Sequence, residues 1–175
     1  MSSKNKHNEP RRFWRNLLIQ IALILAVYFS VQAWQARHAP RGPAPLIYGQ
    51  LLDGASVKLE DYRGKPVLIH FWASWCSICR FEQSSIEAIA KDYAVISIAS
   101  QSGDVDEVRA YVEENQVRMP VLVDDDGVWG NLYGVRGFPS SYVIDAEGQI
   151  SDVEIGYSSE WGLRARLLLA GYSFW

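Results

Sequence analysis

The apolar residues of this chain fall into short continuous runs that alternate with amphipathic stretches. Residues 66–72 form a run typical of a strand buried on both faces, and residues 77–91 repeat their apolar positions at helical spacing. Two further runs, at residues 94–99 and 119–123, predict interior strands on either side of an amphipathic helix over residues 104–115. Strands and helices thus alternate, as they do in α/β proteins.

The segments before and after this region complete the predicted domain. Residues 46–52 and 57–59 flank an Asp-Gly turn and predict a hairpin. The later segments predict a short helix over 128–133, a second hairpin from 141–145 and 150–155, and a closing helix over 158–170. Together these elements predict a three-layer α/β sandwich over residues 46–175.

An uncharged, mostly apolar run precedes the domain, from Leu17 to Ala33. Trp14 and Trp34 flank the run, and Arg11, Arg12 and Arg15 form a basic cluster on its N-terminal side. This pattern predicts a membrane-spanning anchor over residues 17–34, with residues 1–16 in the cytoplasm and the domain outside. A cleaved signal peptide is the alternative, because Val31-Gln32-Ala33 resembles a cleavage site.

Residues 35–45 separate the predicted anchor from the domain. Their three prolines, one glycine and lack of apolar runs predict a stiff, extended linker. The charge is also divided unevenly: residues 1–37 hold six lysines and arginines against one glutamate, although the whole chain has a net charge of −3. The domain is therefore acidic, which argues against nucleic acid as a partner.

Two cysteines, Cys76 and Cys79, are the only ones in the chain and lie where the first buried strand passes into a helix. A thiolate at a helix N-terminus is stabilised by unpaired backbone N–H groups and by the helix dipole. Cys79 follows one turn later and can resolve a mixed disulfide formed at Cys76. The spacing therefore predicts an attacking and a resolving thiol.

A Cys-x-x-Cys pair is also half of a structural zinc site, which needs a second pair of ligands. No further cysteine exists, and His7 and His38 lie outside the predicted domain. His70 is left, within the apolar run of a strand. We therefore predict no metal and no other cofactor.

The sequence from Phe71 to Glu82 reads Phe-Trp-Ala-Ser-Trp-Cys-Ser-Ile-Cys-Arg-Phe-Glu, and Gly137-Phe138-Pro139-Ser140 follows much later. In this combination the chain resembles the membrane-anchored periplasmic thioredoxins of the TlpA and DsbE kind, and among them the suppressor of copper sensitivity D proteins. The resemblance implies a thioredoxin fold with an added N-terminal hairpin. It also implies an enzyme that reduces or isomerises disulfides in periplasmic proteins and receives electrons from an inner-membrane protein. Copper tolerance and cytochrome c maturation are the processes it suggests.

The resemblance also implies roles for residues around the thiols. Pro139 would follow a cis peptide bond and pack against the cysteines, with Trp75 in support and Phe138 in contact with substrate. Glu82 would accept the proton of Cys79, although a solvated helix carboxylate is the alternative. His70 takes the position of a buried aspartate in cytoplasmic thioredoxins, either as a core histidine or as a proton relay.

The dipeptide between the cysteines bears on the direction of the reaction. Ser77-Ile78 adds no imidazole or cation that would stabilise a thiolate, and Glu82 is negative, so a reducing dithiol is expected. A thioredoxin-like copper chaperone is the alternative function, since soft thiolates suit Cu(I). A non-catalytic interaction domain is a third possibility, and it would not require both cysteines.

Overall fold

The computed structural model describes residues 9–38 and 42–172, and it describes no side chains for residues 9–11, 28, 29 and 31–38. The described residues belong to two units, a long helix that ends at His38 and a domain that begins after it. Residues 1–8 of the predicted cytoplasmic segment and residues 39–41 of the predicted linker lie outside the described part of the chain.

The first unit is helix α1, Glu9–His38. It contains the whole of the predicted anchor, and Gln20 and Ser30 interrupt its apolar residues. Among the residues that the structure describes, no helix is long and apolar enough to cross a membrane, so the prediction of a spanning helix over residues 17–34 is not supported.

The domain contains a six-stranded sheet, a separate hairpin and four helices within its described residues. Its first elements are β1 (Gly42–Pro43), β2 (Tyr48–Gln50), β3 (Ser56–Lys58), a 3₁₀ helix (Leu59–Tyr62), β4 (Val67–Trp72) and α2 (Ser77–Ile89). The elements that follow are β5 (Ala94–Ser100), α3 (Val105–Glu114), β6 (Val121–Asp124), α4 (Val128–Leu132), β7 (Ser140–Ile144), β8 (Gln149–Ile155) and α5 (Glu160–Gly171).

Strand β4 is the centre of the sheet, whose order is β1-β8-β7-β4-β5-β6. It runs parallel to β5 and antiparallel to β7, and all six of its residues are buried. An unbroken apolar run is what a strand covered on both faces requires, which is why the sequence shows no alternation there. The separate hairpin of β2 and β3 confirms the predicted N-terminal hairpin.

Two hydrophobic clusters cover the two faces of the sheet. One face packs against α2, α3 and α5, through residues such as Ile86, Val108 and Leu167. The opposite face packs against the hairpin, the 3₁₀ helix and the α4 region, through residues such as Val57 and Tyr133. The mixed α/β architecture and the layers predicted from the sequence are therefore confirmed.

The predicted linker differs from the structure at both ends. Helix α1 continues to His38, since the first proline that would oppose it is Pro40. At the other end Gly42 and Pro43 pair with Ile150 and Gln149, so the domain begins before residue 46. Two residues at a sheet edge carry no periodic signal, and only their pairing with β8 makes them a strand.

Candidate active site

The cysteines lie at the junction of β4 and α2 and are joined to each other by a disulfide, with their Cα atoms 5.3 Å apart. Cys76 is the N-cap residue of α2, and its sulfur accepts a hydrogen bond from the backbone N–H of Cys79 at 3.1 Å. That N–H is one of the donors that a helix leaves unpaired at its first turn. The same hydrogen bond would stabilise a thiolate on Cys76 in the reduced protein.

Burial does not separate the two sulfurs in this disulfide form. The exposed fractions are 6% for Cys76 and 5% for Cys79, so neither residue is better covered than the other. The backbone distinguishes them instead, because Cys76 caps the helix and Cys79 lies within its first turn. The difference between the thiols therefore rests on electrostatics rather than on access.

The loop after β5 holds the turn that precedes Cys76. Ser74 donates its backbone N–H to Ser102 Oγ at 3.0 Å, and the Trp75 indole donates to the carbonyl oxygen of Gln101 at 2.9 Å. Cys76 N–H donates to the carbonyl of Ala73 at 3.1 Å. The apolar pattern gave no signal for residues 101 and 102, although they position the motif.

The aromatic rings of Trp75 and Phe138 pack against each other at this turn. Their ring centroids are 5.7 Å apart in an edge-to-face contact, and Trp75 is largely exposed. The Phe138–Pro139 peptide bond is cis, as the family resemblance implies, and Pro139 is buried. The carbonyl of Pro139 accepts a hydrogen bond from Gly156 N–H, which ties this loop to the end of β8.

Glu82 lies one turn beyond Cys79 on α2 and is completely buried, so the alternative of a solvated carboxylate is wrong. Its Oε1 accepts the backbone N–H of Ser158 at 3.1 Å. Its Oε2 and the Ser158 hydroxyl have no hydrogen-bond partner among the described residues. Burial, opposed by the Ser158 bond and assisted by the charge of Glu154, raises the pKa of Glu82 to about 7. The carboxyl can therefore exchange a proton near neutral pH.

His70 is buried in β4, with Nδ1 and Ser141 Oγ hydrogen-bonded at 3.0 Å. Burial lowers the pKa of His70 to about 4, so the imidazole is neutral at neutral pH. His70 is two positions from both Leu68 and Trp72, so its side chain lies on the same face of β4 as theirs. Leu68 and Trp72 belong to the hydrophobic cluster that contains both cysteines. The structure thus gives His70 the contacts of a satisfied core histidine.

Sequence reasoning missed four residues in the surroundings of Glu82 and His70. Ser158 and Ser141 supply the hydrogen bonds just described, while Glu154, whose charge acts on Glu82, forms an ion pair with Arg166. Glu154 breaks the apolar pattern of the β8 run, which is the one signal in the sequence that could have drawn attention to it. The others follow only from contacts between distant segments.

Exposed apolar side chains continue from the cysteine turn along α2. Ile78 and Phe81 are both exposed, and the Phe81 ring lies 5.5 Å from the ring of exposed Tyr157. Spaced three residues apart, Ile78 and Phe81 share a helix face next to Cys76. We call Trp75, Ile78, Phe81 and Tyr157 the aromatic rim.

Within residues 9–38 and 42–172, no group of three or more His, Cys, Asp or Glu side chains has an arrangement that could hold a metal ion. The copper-binding alternative, which uses the two thiolates themselves, stays a prediction.

The chain is similar in sequence to proteins named for thiol chemistry, and its residues 40–153 match the AhpC/TSA family. The thioredoxin-like protein YneN of Bacillus subtilis is 32% identical over 130 residues, which cover 71% of this chain and 76% of that protein. The thiol-disulfide oxidoreductase ResA of Bacillus thuringiensis is 30% identical over 103 residues, 57% of this chain and 60% of that protein. The finer resemblance to copper-sensitivity suppressors is not shown by these similarities.

Solved structures agree with the fold. The exposed lipoprotein thioredoxin of Streptococcus pneumoniae aligns with a TM-score of 0.68 and 30% identity, over 71% of this chain and 99% of that one. A thiol:disulfide interchange protein DsbE, described as putative, from Chlorobium tepidum aligns with a TM-score of 0.68 and 27% identity, over 76% and 99%. These similarities confirm a thioredoxin-like fold and an enzyme of the thiol-disulfide oxidoreductase class. With its match over residues 40–153, the chain belongs to the AhpC/TSA family.

Proposed function

We propose that this protein reduces or isomerises disulfides in other proteins, with Cys76 as the attacking thiol and Cys79 as the resolving thiol. The observation that carries the proposal is the placement of the Cys76 sulfur on the N-terminus of α2, with Cys79 N–H donating to it. Cys79 lies one turn inside the helix, and the buried carboxyl of Glu82 follows one turn later.

The reaction begins from the reduced pair. The Cys76 thiolate attacks one sulfur of the substrate disulfide, the substrate S–S bond breaks, and the sulfur released takes up a proton. Cys79 then loses its proton and attacks the Cys76 sulfur, which breaks the mixed disulfide and releases the second substrate thiol. The substrate is reduced by two electrons, and Cys76 and Cys79 end as the disulfide seen in the structure.

Glu82 is the group we propose as acceptor of the Cys79 proton. Residues three apart on a helix have neighbouring side chains, and both of these are buried toward the sheet. A pKa of about 7 leaves a large fraction of Glu82 ionised at neutral pH, and that ionised fraction can accept the proton. Oε2 has no hydrogen-bond partner among the described residues and is the oxygen available to bind it.

We further propose that the dithiol is reducing, because little in the site stabilises a thiolate beyond the helix terminus. Ser77 and Ile78 carry no charge, and Arg80 is exposed to solvent, where screening weakens it. Glu82 adds a buried carboxyl near the two cysteines, and its negative charge disfavours a thiolate on either of them.

The predicted redox potential is that of a reducing thioredoxin, nearer about −270 mV than the roughly −120 mV of strong oxidants. Equilibration of the purified domain in glutathione buffers, with the dithiol fraction read by alkylation and mass, would measure it. Ile78→His is the matched variant, and its potential should rise because an imidazole now stabilises the Cys76 thiolate. A wild-type potential as oxidising as about −120 mV would contradict the proposed direction while leaving the thiol chemistry intact.

The aromatic rim supports protein substrates rather than small thiols. Trp75 and Ile78 lie next to Cys76 in the chain, and the four side chains of the rim expose apolar surface, which a protein segment can cover. We propose that those substrates take part in copper tolerance or cytochrome c maturation. We propose that an inner-membrane electron donor reduces the Cys76–Cys79 disulfide back to the dithiol.

We also propose that α1 attaches the protein to the inner membrane and that the domain faces the periplasm. The support is the basic flank of residues 11–15 and the apolar side chains that α1 exposes around its surface, among them Leu18, Leu23 and Ile24. Such a helix needs an apolar environment to cover it.

Protease added to intact spheroplasts is expected to digest the domain, because the proposed location places the domain on the outer face of the inner membrane. The measurement is an immunoblot against the domain, with lysed cells as the control for digestibility. Protection of the domain in intact spheroplasts would contradict a periplasmic location, and its recovery in the soluble periplasmic fraction would show cleavage of the segment instead.

A further inference from the structure

A cluster of three charged side chains lies on the sheet face that α2 and α5 cover, and its member Glu154 acts electrostatically on the buried carboxyl of Glu82. Arg166 of α5 pairs with Asp152 of β8 at 2.5 Å and also with Glu154 of the same strand. Asp152 and Glu154 are two residues apart, so both point to the face of the sheet that α2 and α5 cover. One cation facing two carboxylates leaves the cluster with one net negative charge.

The backbone relates this cluster both to His70 and to Glu82. Glu154 is the register partner of Ser141, which is in turn the partner of His70, so these residues form a row on one face of the sheet. Only a few residues beyond Glu154, Ser158 donates its N–H to Glu82 Oε1. Strand β8 and the segment that follows it therefore supply both the hydrogen bond to Glu82 and the negative charge that acts on it.

Other titratable groups lie on the elements around Glu82, but they are exposed, neutral or paired with other residues. On the neighbouring elements they are Arg80 and Glu87 of α2, Glu160 and Arg164 of α5, and His70 of β4. Arg80 is exposed, Glu87 accepts from Gln83 and from Arg118 N–H, and Arg164 pairs with Glu160 and Asp92. His70 is neutral at neutral pH. Among the described residues, Glu154 is the one whose charge raises the pKa of Glu82.

We propose that Glu154 and Arg166 are positioning residues for the thiol-disulfide reaction: as an ion pair beside Glu82, they set how readily that buried carboxyl takes the proton of Cys79. Negative charge on Glu154 favours the protonated form of Glu82, and Arg166 offsets part of that charge. The inference rests on the proposed function of Glu82 as proton acceptor. Both residues act through Glu82 rather than on the reacting sulfurs.

The two partners of the ion pair should have opposite effects. Glu154→Gln removes the negative charge beside Glu82, so the titration of Glu82 should move to lower pH. Arg166→Gln leaves two uncompensated carboxylates, so the same titration should move to higher pH. A salt bridge with a merely structural role would be lost equally in both variants and would not move the titration in opposite directions.

The experiment is a carbon-13 NMR titration of the Glu82 carboxyl in the disulfide form of the full chain. Controls are Arg109→Gln and Glu113→Gln, which remove one positive and one negative charge from exposed positions on α3. Shifts to lower pH in Glu154→Gln and to higher pH in Arg166→Gln, with neither control moving, support the inference. Shifts in one common direction, or none, would overturn it.

The pH profile of the resolving step separates this inference from the proposed function. Single-turnover release of thiol from a preformed Cys76 mixed disulfide should follow the Glu82 titration in each variant. A release profile unchanged by Glu82→Gln would refute the role of Glu82 as acceptor, even if the NMR titrations shift as expected. Profiles that depend on Glu82 but ignore both Glu154→Gln and Arg166→Gln would refute the positioning role alone.

Discussion

Replacing Cys76 with serine is expected to reduce disulfide exchange to the uncatalysed rate. A serine hydroxyl is not ionised near neutral pH and cannot form a mixed disulfide, so no first step remains. Cys79 cannot substitute for Cys76, since it lies inside the first turn of α2 and lacks the N-cap position that stabilises a thiolate. The measurement is the rate of reduction of a protein disulfide by the prereduced domain under single-turnover conditions.

Replacing Cys79 with serine is the matched control, because it removes a sulfur from the same pair. This variant should still release the first substrate thiol but should remain attached to the substrate through Cys76. Mass spectrometry of the trapped species would show one substrate chain per domain and, in cells, would identify the substrates. Full exchange activity in Cys76→Ser, or trapping through Cys79 in that variant, would reverse the assignment of the two thiols.

The second large effect concerns stability and follows from two buried titratable groups with opposite shifts. The pKa of Glu82 is raised from 4.5 to about 7, so between these pH values the folded state holds the extra proton and stability falls as pH rises. The pKa of His70 is lowered from 6.5 to about 4, so between these values the unfolded state holds the extra proton and stability rises with pH. The two contributions cancel between about pH 4.5 and 6.5.

Single variants should show the pH-dependent contribution of each group separately, because the two contributions cancel in the wild type. Glu82→Gln keeps an acceptor for Ser158 N–H but does not titrate, so the free energy of unfolding should rise by roughly 3 kcal/mol between about pH 4 and 8. His70→Gln leaves only the Glu82 contribution, so it should fall by roughly 3 kcal/mol over the same range. Each figure is rounded down from about 3.4 kcal/mol, the product of a shift of about 2.5 pKa units and about 1.36 kcal/mol per unit.

Denaturant unfolding at a series of pH values, with the disulfide intact so that no thiol titrates, would measure these slopes. Glu113→Gln is the control, because it removes an exposed carboxyl and should retain the wild-type profile. Parallel profiles for the wild type, Glu82→Gln and His70→Gln would show that neither buried group titrates differently in the folded and unfolded states.

Local pattern in the sequence was enough to predict much of this protein. The apolar run of β4 and the helical spacing of α2 placed Cys76 and Cys79 at a strand-to-helix junction, because periodicity and turn chemistry depend on neighbouring residues. The alternation of strands and helices predicted the layers for the same reason. The cis peptide bond before Pro139 needed a family resemblance, since local sequence does not specify it.

Tertiary structure alone decided the environment of each functional group. Glu82 has the sequence context of an ordinary helix carboxylate, and its burial depends on Ser158, 76 positions away. The partner of His70 is Ser141, 71 positions away, and the pairing of β1 with β8 crosses most of the domain. A helix or strand pattern records which face is apolar but not which segment covers it, so burial, pKa and the ion pair of Glu154 with Arg166 appear only once the chain has folded.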